Sequence, residues 1–455
     1  MKFKLLPSTF ALVLAVSVPA TVLLAQSAPP KPAQSDRFKE LEEFLAVYKR
    51  VKTSYVDKVE DKQLMEGAIQ GMLASLDPHS GFLNKSDFSS LQTQIDGEYG
   101  GLGLSVTLED EAVKVIAPTK DTPADKAGIK SGDYITHLDG KLIYGGTLDE
   151  AVEAMRGVPG TSIKLTIIRP GRDAPFDVTI TRAIIDLKPV KWEVKDKIGV
   201  ITVSGFSEDT GADVVAAITG VKKALGGKPL GYIVDLRSNP GGILDEAVAV
   251  SDAFLDSGEI VSERGRDKRD MQRYWAESAV PGDVAGGLPL IVLVDAGSAS
   301  ASEIVAGALQ DHHRGLVMGE RSFGKGSVQN VLPLTRDTGL RLTVARYHLP
   351  SGRSVQEGGI KPDIQVPQLS DPDYKKRVSI RETDLRRHLV NELKTDDKQL
   401  EEDIANDPRF AMTAEQLKTK GITDFQLHYA LETLTRLGSK TMKLADKSVK
   451  GKAQN

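Results

Sequence analysis

Apolar residues recur along this chain with different periods in successive stretches. Between residues 36 and about 95, Phe38, Leu41, Leu45 and Tyr48 follow 3-4-3 spacing, and Leu64, Ala68, Met72 and Leu73 continue it. That spacing predicts amphipathic helices, ending at Asp77-Pro78, a turn signal. From Gly97 the texture changes to short β-branched runs over 104–108, 113–116, 134–138, 163–168 and 176–180, separated by Gly, Pro and Asp, with one helical insert at 147–155. A β-rich module of about 85 residues is the expected result. From about Trp192 to Val366, apolar strands alternate with helices, the pattern of an α/β domain. From Ser370 onward the chain is charged, and Leu385, Leu389 and Leu393, then Leu427, Leu431 and Leu434, predict helices before a lysine-rich end.

The first residues break this pattern. Lys2 and Lys4 precede an apolar run over 10–25, which contains Pro19; Ala25, Ser27 and Ala28 follow as small residues, then Pro29-Pro30-Lys31-Pro32. This order predicts a secretory signal peptide over residues 1–28. The competing reading is an uncleaved membrane anchor, since a run of about 16 apolar residues is barely enough to span a bilayer. The expected organisation is therefore a signal peptide (1–28), an N-terminal helical region (29–95), the β-rich module (96–185), an α/β core (186–369) and a C-terminal helical region (370–455). The expected location is exported: periplasmic, cell-envelope or extracellular, with membrane contact only through an uncleaved signal segment. The 455 residues carry a net charge of −4, which argues against a nucleic-acid partner. The absence of cysteine excludes disulfides, thiolate metal sites, a cysteine nucleophile and a cysteine-linked lipid.

Three glycine- or serine-rich loops carry the candidate chemistry. In the first, the apolar run 232–236 is followed by Arg237-Ser-Asn-Pro-Gly-Gly242 and a helical pattern over 243–254. In the second, the run 290–294 leads to Asp295-Ala-Gly-Ser-Ala-Ser300-Ala-Ser302 and a helix over 303–309. Each reads as buried strand, tight loop and helix N-terminus, the place where open α/β sheets bind ligands. A serine on such a turn is placed for attack on a carbonyl, with the next N–H facing the developing oxyanion. A flexible linker with an N-cap serine fits the same residue types, and both readings stand at this point.

The third loop, Gly319-Glu-Arg-Ser-Phe-Gly324-Lys325-Gly326, nearly matches a phosphate-binding loop. It lacks the hydroxyl after the lysine, and a strand broken by proline follows where a helix should. Nucleotide binding is therefore disfavoured. The histidines are scattered and no HExxH occurs, so no metal or cofactor is expected. His312 and His313 would lie about 18 Å along the helix that Ser300 starts, at 1.5 Å per residue. That is too far for a general base.

The run Gly-Ser298-Ala-Ser300-Ala-Ser302-Glu303, followed by Phe323-Gly-Lys325-Gly-Ser-Val-Gln329, resembles the signature of the carboxyl-terminal processing peptidases, tail-specific serine proteases with a Ser-Lys dyad. Leu76-Asp-Pro-His-Ser80, Gly101-Leu-Gly-Leu104, Ala127-Gly-Ile-Lys-Ser-Gly-Asp133 and Asp235-Leu-Arg-Ser-Asn-Pro-Gly-Gly242 extend the resemblance over nearly the whole chain after residue 28. It implies a crotonase-like α/β protease core carrying an inserted PDZ domain. It further implies Ser300 as nucleophile, Lys325 as general base and Gln329 as the group that orients the lysine. The N–H groups of Ala301 and of Gly241 or Gly242 would form the oxyanion hole.

A base of this kind must be neutral, so its pKa must fall from about 10.4 towards 7, a cost on the order of 4 to 5 kcal/mol. Desolvation and the absence of a nearby carboxylate are the expected causes. The PDZ resemblance implies protein or peptide partners with free carboxyl termini, bound as an added strand. Gly101, Leu102, Gly103 and Leu104 would hold the terminal carboxylate, with Val152 and Met155 on the facing helix. A homo-oligomer is compatible with this reading. A noncatalytic tail-binding scaffold is the alternative function, disfavoured because both Ser300 and Lys325 are intact.

Overall fold

The computed structural model describes residues 36–109, 111–143, 145–267, 269–277, 282–377, 379–391 and 407–452. The leader expected over 1–28 and Leu393 lie outside them. The chain divides into two units, residues 1–67 and 68–455. In the first, α1 (Asp36–Ser54) precedes the start of α2 (Asp61–Ala74). Asp61 sits in the first turn of α2, where a negative charge suits the helix dipole, and binds Tyr48 Oη (2.6 Å) and Lys52 Nζ (2.7 Å). Phe38, Leu41 and Leu45, the apolar stripe of α1, are exposed.

In the second unit, residues 81–83, expected within a helical stretch, form strand β1 (Gly81–Leu83) and pair with β18 (Gly339–His348). α3 (Lys85–Asp96) follows, capped by the Asn84 side chain, which accepts from Asp87 N–H at 3.0 Å. Gly97 ends it at φ +70°, a conformation that costs glycine little.

The β-rich module opens with β2 (Glu98–Gly101). It continues through β3 (Leu104–Glu109), β4 (Ala112–Pro118), α4 (Pro123–Lys126), β5 (Tyr134–Leu138), β6 (Lys141–Leu142), α5 (Leu148–Met155), β7 (Ser162–Ile168) and β8 (Phe176–Thr181). β9 (Ala183–Asp186) pairs antiparallel with β2, so the chain enters and leaves the module at one place. The sheet order is β3-β4-β5-β7-β8, leaving β3 at an edge. Alternate residues Val113, Val115, Ile163, Leu165 and Ile167 point into its core together with Ala151 of α5. A capping box between Thr147 and Glu150 starts α5.

The remaining strands build two sheets. β10 (Val190–Lys195), β11 (Ile198–Val203), β12 (Gly231–Asp235), β15 (Leu290–Val294), β16 (Leu316–Gly319) and β19 (Ile364–Gln365) lie in that order, all parallel except β10. Every residue of β12 and β15 is buried, as central parallel strands covered on both faces require. Ile201, Val203, Tyr232, Val234, Val292 and Val294 face α6 (Thr210–Ala224), α7 (Leu244–Asp252) and α8 (Ala301–Asp311). The alternate residues Ile198, Val200, Ile233, Ile291 and Leu293 pack on α9 (Ala414–Thr419) and α10 (Phe425–Lys452).

The second sheet is antiparallel, β1-β18-β13-β14, with β17 (Ser327–Pro333) also on β18; β13 is Gly258–Gly265 and β14 is Met271–Ala276. Leu385 and Leu389 do not start a helix as expected. A short 3-10 turn, Glu382–Asp384, is followed by a second turn, closed by His388 N–H on Leu385 O with Arg387 at φ +62°. Here long-range partners replace local helical bonds: Glu382 N–H donates to Phe323 O, and Leu389 O accepts from Gln356 Nε2.

Candidate active site

The loops after β12 and β15 lie side by side at the carboxyl ends of the parallel strands, and buried side chains lock them together. Asn239 donates from Nδ2 to Val203 O (2.7 Å), while its backbone carbonyl accepts from Ala299 N–H (3.0 Å) and Ser302 Oγ (2.9 Å). Asp295 accepts from the N–H groups of Ser238 (2.7 Å) and Gly297 (2.9 Å). These bonds separate the serines of the loop. Ser298 Oγ donates to Leu236 O at 2.8 Å, Ser302 Oγ is spent on Asn239, and Ser327 Oγ accepts from Gln329 Nε2 at 2.9 Å; all three residues are buried. Ser300 is half-buried, lines a cleft, and its hydroxyl donates to no acceptor among the described residues. It stands at φ +54°, ψ −113°, a backbone region unfavourable for a residue with a Cβ.

Ser300 occupies the N-cap position of α8. Its own N–H donates to the Glu303 carboxylate (2.8 Å). The N–H of Ala301 takes no acceptor among the described residues, and the two candidate glycines differ. Gly241 N–H is committed to Asn239 Oδ1 at 2.9 Å, whereas Gly242 N–H has no acceptor among the described residues, and Gly242 lines the cleft. Neither glycine has room for a side chain. A Cβ on Gly241 would lie 2.9 Å from Ser300 Cβ, and one on Gly242 would lie 2.0 Å from Phe206 O. A free hydroxyl between two unspent N–H groups is an arrangement that stabilises an oxyanion.

Lys325 enters the same cleft from the loop before β17. It is half-buried and forms no ion pair or hydrogen bond through Nζ among the described residues. Burial is the main cause holding its pKa down, to about 8, and the Arg341 guanidinium adds to it. The expected absence of a nearby carboxylate does not hold. Glu382, Glu303 and Asp77 all act to raise the value, which is why it stops short of 7. The lysine stays unpaired because those carboxylates are spent on other donors.

Glu303 is the clearest such case, and sequence reasoning gave it no role. Fully buried, it accepts from Ser322 Oγ (2.6 Å) and Gly324 N–H (2.7 Å) on one oxygen, and from the N–H groups of Ser300 (2.8 Å) and Lys325 (3.0 Å) on the other. One carboxylate thus ties the backbone of the serine to that of the lysine. Burial pushes it up to about 7 against those four donors. The Tyr347 hydroxyl contacts the carbonyl oxygens of both Ser300 (3.2 Å) and Lys325. Glu382 is bound by His79 Nε2 (2.8 Å) and Gln356 Nε2 (3.0 Å), and Gln356 Oε1 accepts Gly326 N–H (2.9 Å). Asp77 accepts from Ser80 Oγ (2.8 Å) and Thr343 Oγ1 (3.1 Å).

Gln329 lines the cleft with Ser300 and Lys325. Its Nε2 donates to Ser327 Oγ (2.9 Å) and Thr343 Oγ1 (3.2 Å), leaving Oε1 without a partner among the described residues. No hydrogen bond joins it to Lys325 here, and none joins Lys325 to Ser300 Oγ. His312 lies at the far end of α8, bound through Nε2 to Glu259 O at 2.7 Å. The cleft encloses about 610 Å³. A larger cavity of about 1170 Å³, lined by Asp235, Arg237, Asp295, Glu320 and Asp424, contains neither Ser300 nor Lys325. No group of side chains able to hold a metal ion occurs among the described residues, and no helix among them is long and apolar enough to cross a membrane.

In the β-rich module, Leu102 and Gly103 N–H take no acceptor among the described residues, while Leu102 O and Gly103 O accept from Ala124 and Thr119 N–H. Gly101 ends β2, and Leu104 begins the edge strand β3. Leu104 and Val152 lie half-buried at the margin of the module core. Met155, expected to face the peptide, is not on the surface of the groove helix. It is buried with Leu102 inside that core.

Residues 197–366 match the model of peptidase family S41, residues 100–180 that of the PDZ domain, and residues 16–87 that of the activating protease CtpB N-terminal domain. The chain is 47% identical over 377 residues to a carboxy-terminal-processing protease of Bartonella bacilliformis, covering 82% of this chain and 86% of that protein. It is 36% identical over 333 residues to the carboxy-terminal processing protease CtpA of Bacillus subtilis, covering 72% of this chain and 69% of that one. A solved photosystem II D1 C-terminal processing protease is 30% identical, with 72% of this chain and 93% of that chain covered and a TM-score of 0.42.

Proposed function

The chain belongs to the carboxy-terminal-processing proteases of peptidase family S41, with a PDZ domain, and from that premise we propose that it cuts protein substrates near their carboxyl termini with Ser300 as nucleophile and Lys325 as general base. The observation that carries the reading is the pairing of a free hydroxyl on a strained turn with an unpaired, half-buried lysine in one cleft. With a pKa of about 8, about one lysine in ten is neutral at pH 7. That fraction takes the proton from Ser300 Oγ as the oxygen attacks the scissile carbonyl. Ala301 and Gly242 N–H receive the oxyanion; Gly241 is passed over because its N–H is already spent. The resulting ammonium returns its proton to the departing amine, and a water, deprotonated by the same lysine, releases the acyl group. Gln329 accepts from the lysine through its free Oε1, a contact that forms when substrate closes the site.

In this reading residues 96–185 bind the tail: Leu102 and Gly103 N–H hold the terminal carboxylate, and the edge of β3 pairs with the peptide. Residues 186–369 form a crotonase-like core, with helical regions on either side in sequence. The leader over 1–28 exports the chain to the periplasm, cell envelope or extracellular space, and the partners are proteins with free carboxyl termini.

Incubating the purified protein with substrates differing only in their terminal residues, and mapping the cuts by mass spectrometry, tests the activity. Cuts near the tail, absent in Ser300→Ala, are expected; cleavage by Ser300→Ala refutes the assignment. Amino-terminal sequencing of the protein from the cell envelope tests the leader, and a start at Met1 argues against cleavage.

A further inference from the structure

Strand β18 brings a second cation to the base. In the β17–β18 register Gln329 lies opposite Thr343 and Val331 opposite Arg341. Residues two apart share a face of a strand, so Arg341 stands on the same side as Thr343, whose hydroxyl holds the Gln329 amide. Arg341 lines the cleft with Ser300 and Lys325. Its Nε donates to His79 O at 2.8 Å, which pins the stem. Its two terminal nitrogens have no partner among the described residues, and no carboxylate there pairs with it. The acidic groups nearby are engaged elsewhere: Asp77 with Ser80 and Thr343, Glu382 with His79 and Gln356, Glu303 with its four donors. A half-buried guanidinium left without an anion is unfavourable, and its planar fork matches a carboxylate in two-pronged contact.

We propose that Arg341 is a carboxylate-binding residue of the cleft, receiving an acidic group of the substrate beside the scissile bond. That group is the side chain of an aspartate or glutamate flanking the cut, or the terminal carboxylate itself where the cut falls within a residue or two of the end. The proposal rests on the reading of Ser300 and Lys325 as the reacting pair.

A kinetic consequence follows from the charges around the base, which are Arg341 from β18, Glu303 from α8, Glu382 from the 3-10 turn and Asp77 before β1. Arg341 disfavours the ammonium form of Lys325. A substrate carboxylate that neutralises it weakens that effect, so the base becomes harder to deprotonate in the complex than in the free enzyme. With an acidic substrate the lower limb of kcat should therefore lie at higher pH than that of kcat/KM. With a neutral substrate the two should coincide.

The test uses the full chain and four peptides of one sequence, with Glu or Gln beside the cut and with a free or an amidated end two residues further on. Wild type should prefer the better anion by roughly tenfold in kcat/KM. Preference for Glu identifies a side-chain carboxylate, and preference for the free end identifies the terminal one. In Arg341→Gln that preference should vanish, and in Arg341→Lys, which keeps the charge without the fork, it should be partly retained. A Glu preference that survives in Arg341→Gln counts against the proposal, as does equal turnover of all four peptides by wild type; a free-end preference of equal size in wild type and Arg341→Gln belongs to the PDZ domain and, where no Glu preference is lost in the variant, also overturns it. Coincident limbs of kcat and kcat/KM with the acidic peptide also overturn it. Thermal melts of both variants show whether they are folded. Cleavage by Ser300→Ala would instead refute the underlying reading along with this one.

Discussion

Replacing Glu303 by glutamine tests how the buried carboxylate holds the site together. In the folded protein its carboxyl is pushed to about 7 from an ordinary 4.5, so at pH 5.5 it is protonated. The acid proton then points to Ser322 Oγ, and the remaining lone pairs still accept the N–H groups of Ser300, Gly324 and Lys325. Glutamine in its better orientation keeps its oxygen toward Ser300 and Lys325. Its amide nitrogen can donate to Ser322 Oγ but cannot accept from Gly324, so one buried N–H is stranded. That costs about 1–3 kcal/mol.

The difference depends on pH, with a definite sign. A carboxyl whose pKa is raised on folding stabilises the protein fully below about 4.5, and this contribution is lost as the pH rises through about 7. At 1.36 kcal/mol per unit, wild type gives up as much as about 3 kcal/mol between those limits, whereas E303Q gives up none of it. Urea unfolding of inactive Ser300→Ala, with and without E303Q, followed by tryptophan fluorescence, should therefore show a deficit near pH 5.5 that closes by pH 8. A deficit that grows with pH would refute the reasoning. It would mean that the four donors outweigh burial and hold Glu303 ionised. Activity supplies a second readout. Glu303 favours the charged form of Lys325, so in E303Q the lower limb of the pH–rate profile should move to lower pH.

Three further outcomes are expected. Ser300→Ala should lose cleavage by several orders of magnitude with stability intact, whereas Ser298→Ala, which takes the acceptor from Asp295 N–H and leaves Leu236 O only the longer bond from Asn239 N–H, should cost about 1–3 kcal/mol of stability; the reverse pattern in cleavage assays and melts would move the nucleophile. Lys325→Arg should be as inactive as Lys325→Ala because arginine does not deprotonate at working pH, and wild-type activity should rise through about pH 8 and ignore EDTA; retained turnover in Lys325→Arg or inhibition by the chelator contradicts a lysine base. Calorimetry of a free-tail peptide and its amidated twin on the full-length Ser300→Ala protein should show weaker binding of the amide, since Leu102 and Gly103 N–H lose a charged acceptor; equal affinities would remove the tail clamp.

What could be read from sequence, and what could not, divides along the range of the interactions involved. Strands β3, β4, β5, β7 and β8 and helix α5 were legible because each writes its own period and is bounded by Gly, Pro or a capping box. The mostly apolar run 232–236 and the fully apolar run 290–294 announced buried parallel strands, and with them the loops that carry Gly242 and Ser300. Local signals ended there. Three serines at alternate positions in 298–302 look alike as residue types. They differ only because Leu236 O and Asn239 O, more than 60 positions away, claim two of the hydroxyls. Gly241 and Gly242 are likewise equivalent until the Asn239 side chain takes one N–H. The lysine's surroundings were misjudged for the same reason: Asp77, Arg341 and Glu382 converge on it from segments as much as 305 positions apart, and no window along the chain joins them. Met155 was read as a groove residue from its place on α5, yet the sheet that buries it is assembled from strands on both sides of that helix in sequence. Glu303 did leave a trace, as an acidic residue three positions into a helix that begins at a serine, the spacing of a capping box. A cap of that kind is a local stabiliser. Its second oxygen, turned to Ser322 and Gly324, makes it the bond between two loops, and that function exists only once β16 and β17 have brought the lysine loop beside α8.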